Sequence, residues 1–282
     1  MTPEVILAAA PRVLTQEQRE FYFESGYVTV ESLIPDDLVE RIKEVTAEAV
    51  ERSASVSESD NDYDLTDDHR ADSPNVRRLK GVDSHHEAYW EFARGLVADV
   101  AADLVGPDVV FHHAKLNFKH AGGSHVKKWH QDIPFHPHTN YNMVTIGTLL
   151  TDTEVKDGPL VMVPGSNNGP VYDHYDQEGN WVGALSPDDV AAIDEGNLAF
   201  LTGPAGTITA HSCRTVHSSP APSEDAAGRP LLLNIYAAAD AMPYTANPMP
   251  TGNSGTVVRG NRARWAYHDP RPSLLPPWSG GR

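Results

Sequence analysis

Short apolar segments separated by turn-forming residues make up most of the chain after about residue 108. Each segment is rich in β-branched, aromatic or other apolar residues, and clusters of Gly, Pro, Asn or Asp lie between the segments. Repeated short strands bounded in this way are typical of antiparallel barrels and jelly rolls. The predicted strands cover 109–119, 143–150, 160–163, 198–201, 207–210 and 231–237.

The N-terminal part of the chain has helical features instead. Thr15 and Gln18 form a predicted capping box that begins a helix ending at Gly26. A second helix is expected to begin at Pro35, and a third is expected over 87–105, before a Gly-Pro pair. Helices followed by strands indicate an α+β protein in which the helices buttress one sheet.

Three stretches lack a regular pattern. The acidic stretch near 53–72 predicts a flexible loop, and the insertion near 165–196 has the length and position typical of a lid. The Pro- and Gly-rich stretch 247–282 predicts an irregular tail. We expect a single domain over 1–282.

Composition narrows the possible partners. The chain has 282 residues and a net charge of −17, whereas nucleic acids and anionic membranes are bound through basic patches. The single cysteine, Cys213, excludes a disulfide framework and a thiolate metal cluster. The first ten residues lack the features of a signal peptide, and no apolar run is long enough to span a membrane. We therefore expect a cytoplasmic protein with a small-molecule substrate, and the oligomeric state stays open.

A candidate metal motif follows Trp129. His130 and Asp132 are two residues apart, and side chains with this spacing point the same way on an extended strand. A second imidazole from a distant strand, such as that of His217, completes a set of two histidines and one carboxylate. This set leaves three positions of an octahedral metal open and is typical of non-haem Fe(II) oxygenases. Arg229, twelve residues after His217, can hold a carboxylate co-substrate through a bidentate pair.

Short motifs follow one another along the chain: LTQEQREFY at 14–22, SGYV at 25–28, HQDIPFHP at 130–137, DGPL at 157–160, VPGS at 163–166, HSS at 217–219 and GRP at 228–230. In this order they resemble the phytanoyl-CoA dioxygenase family of Fe(II)/2-oxoglutarate oxygenases. The resemblance runs from about residue 14 to residue 240.

The resemblance implies a double-stranded β-helix, with helices beside it, that carries one iron ion. It implies O2 and 2-oxoglutarate as co-substrates, with Ser219 assisting Arg229 at the distal carboxylate of 2-oxoglutarate. Lys80 and Lys115 lie where family members often place further co-substrate contacts, although a surface position is an equal alternative for each. The implied iron ligands are His130, Asp132 and His217.

Two late histidines compete for the third ligand position. His217 lies twelve residues before Arg229, close to the family's spacing, whereas His211 lies eighteen residues before it. We therefore predict His217 as the ligand and His211 as a core residue or a neighbour of the ligands. His136 and His138 follow the metal motif and are candidates for the wall of the substrate pocket.

The resemblance implies an oxygenase that hydroxylates an unactivated C–H bond and releases succinate and CO2. Related halogenases have Gly or Ala in place of Asp132, so hydroxylation is favoured over halogenation. Desaturation, epoxidation, epimerisation and cyclisation stay open, as does a non-redox cupin-like metal protein, which would not need Arg229 and Ser219. The substrate is expected to be a secondary metabolite, an amino-acid derivative or an acyl compound. An acidic chain with few basic residues near the site is not typical of a CoA binder.

Overall fold

The computed structural model describes residues 1–278, so the last four residues of the predicted tail, 279–282, lie outside the described residues. The helices are α1 (Pro3–Ala8), α2 (Gln16–Ser25), α3 (Asp36–Arg52), α4 (Glu87–Arg94), α5 (Leu96–Val105) and α6 (Pro187–Ala191). The strands are β1 (Tyr27–Val30), β2 (Tyr63–Leu65), β3 (Val76–Lys80), β4 (Val109–Lys119), β5 (Lys127–His130), β6 (Met143–Leu149), β7 (Leu160–Met162), β8 (Ala199–Leu201), β9 (Ile208–Ser212), β10 (His217–Ser219), β11 (Arg229–Ala238) and β12 (Val257–Arg259).

The predicted capping box at the start of α2 is confirmed. The Thr15 hydroxyl accepts a hydrogen bond from the backbone of Gln18, whose side chain accepts one from the backbone of Thr15. Gly26 ends the helix in the left-handed conformation, with φ at 83°. The chain then enters β1 directly.

Two helical and loop predictions differ from the structure. The single helix expected over 87–105 is broken at Gly95, whose ψ of −138° is not helical, so α4 and α5 are separate. Part of the expected acidic loop is the strand β2, which pairs with β3. Tyr63 anchors this strand because its ring is buried and its hydroxyl donates to the carbonyl of Ala49 at 3.2 Å.

Two antiparallel sheets form the core. The larger sheet has the order β1-β9-β6-β11-β4-β3-β2, with β12 also paired to β4, and the smaller sheet has the order β5-β10-β7-β8. Helix α5 contacts β4, β6 and β11, so the helical layer covers the larger sheet. The predicted α+β fold with a jelly-roll core is confirmed.

The register of the larger sheet places basic and polar side chains together on its inner face. Lys115, Asn117 and Lys119 alternate along β4 and point to one side, because side chains on a strand change face at each residue. Lys119 is the cross-strand partner of Arg229 at the start of β11. No helix among residues 1–278 has the length and apolarity needed to cross a membrane.

Candidate metal centre

The three predicted metal ligands converge between the two sheets. His130 ends β5 and His217 begins β10, and these two residues are direct cross-strand partners. The Nε2 atom of each histidine lies 3.8 Å from Oδ1 of Asp132. The three possible ligand atoms all lie within 4.8 Å of one another. The strand ends at His130, so Asp132 lies in the bend that follows and not on the strand as the sequence predicts.

Backbone carbonyl groups orient both imidazoles. The Nδ1–H of His130 donates to the carbonyl of Lys128 at 2.9 Å, and that of His217 donates to the carbonyl of Thr215 at 2.9 Å. Each Nε2 is therefore left unprotonated and directed at the centre, as metal ligation requires. Burial lowers the pKa of His130 well below its ordinary value and that of His217 to about 3. Both rings are neutral at physiological pH.

The carboxylate of Asp132 is held through its second oxygen. Oδ2 accepts hydrogen bonds from Thr145 Oγ1 at 2.7 Å and from His211 Nε2 at 3.2 Å, which leaves Oδ1 facing the two histidines. Burial favours the protonated acid, but His217 and His211 outweigh this effect and lower the pKa of Asp132 well below its ordinary value. Thr145 and His211 are cross-strand partners on β6 and β9. Nothing in the sequence indicates Thr145, because its role depends on this register.

This donor set fits a divalent metal ion. Two neutral imidazoles and one ionised carboxylate present three ligand atoms on one side, and each ligand is fixed by a further hydrogen bond. Non-haem Fe(II) is the metal for which two histidines and one carboxylate with open positions are characteristic.

Arg229 lines the same cavity as this centre and has an incomplete set of partners within residues 1–278. Its side chain is buried, and Nη2 lies 3.4 Å from Ser219 Oγ, whereas Nε and Nη1 are buried without a hydrogen-bond partner within residues 1–278. Burial lowers the pKa of Arg229 to about 10, so the side chain stays charged at neutral pH. A buried guanidinium without a counter-ion is unfavourable, and a bidentate carboxylate would satisfy it.

Ser219 orients Arg229. Its hydroxyl donates to the carbonyl of Gly158 at 2.9 Å, so its oxygen is left to accept from Arg229. The contact with a co-substrate carboxylate expected of Ser219 therefore stays a prediction.

The two predicted lysines have different surroundings. The ammonium group of Lys80 forms an ion pair with Asp64 at 3.0 Å and also donates to the carbonyl of Asp60. Lys115 is the cross-strand partner of Lys80, and its ammonium group has no hydrogen bond or ion pair within the described part of the chain. Burial lowers the pKa of Lys115 to about 8. Both lysines line the same cavity as the candidate metal ligands.

This cavity has a volume of about 370 Å³ and opens between the sheets. Its walls contain many basic residues, so the expectation of few basic residues near the site is wrong. His136 lines the cavity, whereas His138 does not reach it.

The C-terminal tail supplies part of the cavity wall, including Trp278. The Trp278 ring packs on Trp181 at 5.4 Å between centroids, and Trp181 packs on Phe135 at 5.3 Å. The hydroxyl of Tyr175 also donates to the carbonyl of Leu275 at 2.7 Å. The insertion and the tail therefore contact each other beside the cavity, an arrangement that no sequence pattern indicates.

Comparison with known proteins agrees with this geometry. The profile of the phytanoyl-CoA dioxygenase (PhyH) family matches residues 22–227. The chain belongs to the phytanoyl-CoA dioxygenase family. A probable alpha-ketoglutarate-dependent hypophosphite dioxygenase from Stutzerimonas stutzeri is 35% identical over 243 residues, which is 82% of this chain and 81% of that protein. An L-proline trans-4-hydroxylase from Streptomyces griseoviridis is 30% identical over 163 residues, which is 51% of this chain and 61% of that protein.

Solved structures share the fold of this phytanoyl-CoA dioxygenase family member. EctD from S. alaskensis with 2-oxoglutarate and 5-hydroxyectoine superimposes with a TM-score of 0.70 and 17% identity, covering 93% of this chain and 92% of EctD. The same protein with bound Fe gives a TM-score of 0.69 and 18% identity, covering 92% and 89%. The chain is a 2-oxoglutarate-dependent non-haem iron dioxygenase that uses Fe(II), 2-oxoglutarate and O2.

Proposed function

We propose that this dioxygenase hydroxylates an unactivated C–H bond of a small molecule at a centre held by His130, Asp132 and His217. The observation that carries the proposal is the convergence of these three side chains beside the unpaired nitrogens of Arg229. Fe(II) with 2-oxoglutarate and O2 supplies the oxidant for such a bond, with release of succinate and CO2.

In this proposal the chain's own residues bind, orient and shield the reactants. Arg229 pairs with the distal carboxylate of 2-oxoglutarate through Nε and Nη1, and Ser219 keeps the guanidinium in place. Thr145 and His211 hold Asp132 so that Oδ1 faces the metal. Because this carboxylate fills its ligand position, the site favours hydroxylation over halide transfer.

The size of the cavity supports a small substrate. About 370 Å³ must hold both 2-oxoglutarate and the reacting part of the substrate, although small-molecule pockets often reach several hundred Å³ more. The relatives with named substrates act on hypophosphite, L-proline and ectoine, all of which are small. A cytoplasmic location and the absence of a nucleic-acid partner stay predictions from the sequence.

Anaerobic spectroscopy tests the assignment of the site. Adding Fe(II) and then 2-oxoglutarate to the purified protein is expected to give one iron per chain and a weak visible charge-transfer band. Admission of O2 is expected to give slow succinate release without added substrate, and EDTA is expected to stop it.

The His217→Ala variant is the control for this experiment. It is expected to lose the band and the iron while retaining the circular dichroism of the folded protein. An unchanged band in this variant would overturn the ligand assignment. Iron binding with no effect of 2-oxoglutarate would contradict the placement of 2-oxoglutarate at Arg229.

A further inference from the structure

The cavity is strongly basic although the chain is acidic. Among residues 1–278, seven cationic and two acidic side chains line it, whereas the whole chain has a net charge of −17. The formal charge of the lining is therefore +5. Fe(II) and the dianion of 2-oxoglutarate cancel each other, so this excess persists in the loaded site. The cationic residues are Arg77, Arg78, Lys80, Lys115, Lys119, Lys127 and Arg229, and the acidic ones are Asp64 and Asp132.

Three of these cations share one carboxylate at the outer wall. Asp64 forms ion pairs with Arg77 at 2.8 Å, Arg78 at 3.3 Å and Lys80 at 3.0 Å. Lys119 has a structural role, because its ammonium group donates to the backbone carbonyls of His125, Ser219 and Pro220. The three cations that pair with Asp64, together with Lys119, therefore already have partners.

Lys115 and Lys127 have no acidic partner within residues 1–278. The ammonium group of Lys127 lies over the ring of Phe135 at 4.7 Å from its centroid, and the ammonium group of Lys115 has no hydrogen bond within residues 1–278. Burial, and then the charge of Arg78, lowers the pKa of each lysine to about 8. Asp132 opposes this shift in both, so the two lysines lie within electrostatic range of the candidate metal-ligating carboxylate.

The two lysines approach the cavity from different sheets. Lys115 lies on β4 opposite Leu233, four strand positions from Arg229, which is about 13 Å along the strand. The two side chains therefore enter the cavity at different positions along the sheet. Lys127 lies on β5 in the smaller sheet. Like charges buried near one another without a counter-ion are unfavourable, and an anion between them would offset this cost.

We propose that the substrate carries an oxyanion group, either a carboxylate or a phosphorus oxyanion, which Lys115 and Lys127 bind beside the metal centre. This inference rests on the proposed function, in which 2-oxoglutarate occupies Arg229 and leaves Lys115 and Lys127 for a second anion. When this oxyanion group is bound, a bond of the substrate next to the group faces the metal.

Calorimetry with simple anions tests this site. The protein is first titrated with Ni(II), which does not support turnover, and then with 2-oxoglutarate, before methylphosphonate or propionate is added. Both anions are expected to bind at least tenfold more tightly than their neutral counterparts, dimethyl methylphosphonate and propionamide. The tighter of the two anions identifies the preferred oxyanion.

Variants assign the binding to the two lysines. Lys115→Met and Lys127→Met are each expected to weaken anion binding at least tenfold, while Lys43→Met on the exposed face of α3 is expected to leave it unchanged. Equal binding of anions and neutral compounds, or wild-type affinity in both lysine variants, would overturn the inference. Failure of Ni(II) and 2-oxoglutarate to bind in the first titrations would instead overturn the proposed function.

Discussion

His211 Nε2 lies 3.2 Å from Oδ2 of Asp132, whereas the other carboxylate oxygen faces His130 and His217. His211 therefore holds the carboxylate through the oxygen that does not face the two candidate ligands. The two late histidines, six residues apart in the sequence, have different surroundings because one lies on β9 and the other begins β10.

The first prediction separates these two histidines. His217→Ala removes one of three ligands and is expected to abolish iron binding and succinate release. His211→Ala is expected to retain iron and to lose about 10–100-fold in activity, because it only orients a ligand. Metal analysis and succinate assays of both variants check this. An iron-free His211 variant beside an iron-containing His217 variant would show that the third ligand is misassigned.

The second prediction concerns Arg229. Arg229→Ala is expected to raise the KM for 2-oxoglutarate at least tenfold, because hydrogen bonds to a charged group contribute about 1.5–3 kcal/mol. Iron binding is expected to persist, since the guanidinium makes no contact with the ligands. Arg229→Lys keeps the charge but loses the bidentate geometry, so its KM for 2-oxoglutarate is expected to lie between that of the wild type and that of the alanine variant. An unchanged KM in the alanine variant would contradict the assignment.

The third prediction concerns pH. Lys115 and Lys127, each with a pKa of about 8 in the free protein, bind an anion only when protonated. Affinity for propionate, which stays ionised, is expected to be nearly constant between about pH 6 and pH 7 and to fall as pH rises through about 8. Arg77, Arg78 and Asp132 are the other charged groups that act on these lysines. His136 beside them stays neutral across this range because burial lowers its pKa to about 3.

A matched variant checks the source of this pH effect. Replacing both lysines by arginine is expected to remove the decline, because arginine stays protonated throughout. A decline of the same size in the double arginine variant would show that other groups cause it.

The fourth prediction concerns Gly26. A Cβ atom at this position would lie 2.6 Å from both Asn167 Oδ1 and Thr215 Oγ1, and φ is +83°. Gly26→Ala is therefore expected to destabilise the fold by more than the roughly 1–2 kcal/mol of backbone strain alone. Gly179→Ala is the control, because φ is +81° and no atom of residues 1–278 lies within 4 Å of the added atom. Denaturant unfolding of the two variants checks this, and equal losses would contradict the steric argument.

The fifth prediction tests whether the insertion and the tail act together as a lid. Trp278→Ala removes the ring that packs on Trp181 and is expected to increase quenching of the remaining tryptophans by acrylamide. Trp278→Phe keeps an aromatic ring and is expected to change quenching much less. If Ni(II) and 2-oxoglutarate reduce acrylamide quenching in the alanine variant as much as they do in the wild type, the tail does not help to cover the cavity.

The sequence by itself determined the features that depend on local patterns. Capping at Thr15, the end of α2 at Gly26 and the strand pattern follow from periodicity and turn residues, because these act over a few positions. The spacing of His130 and Asp132 indicated a metal motif for the same reason. The order of the motifs, ending at Arg229, indicated the enzyme class.

Only the tertiary structure decided which side chains meet across the sheets. Thr145 reaches Asp132 through the register of β6 and β9, and Trp278 reaches the cavity from a tail without a sequence pattern. Lys115 and Lys127 meet at one cavity although they lie on different sheets. Such contacts depend on strand register and on the packing of two sheets, which are set by the whole chain, so a local pattern cannot encode them. The basic interior of an acidic protein is the clearest result of this arrangement, because composition averages over the surface and the cavity alike.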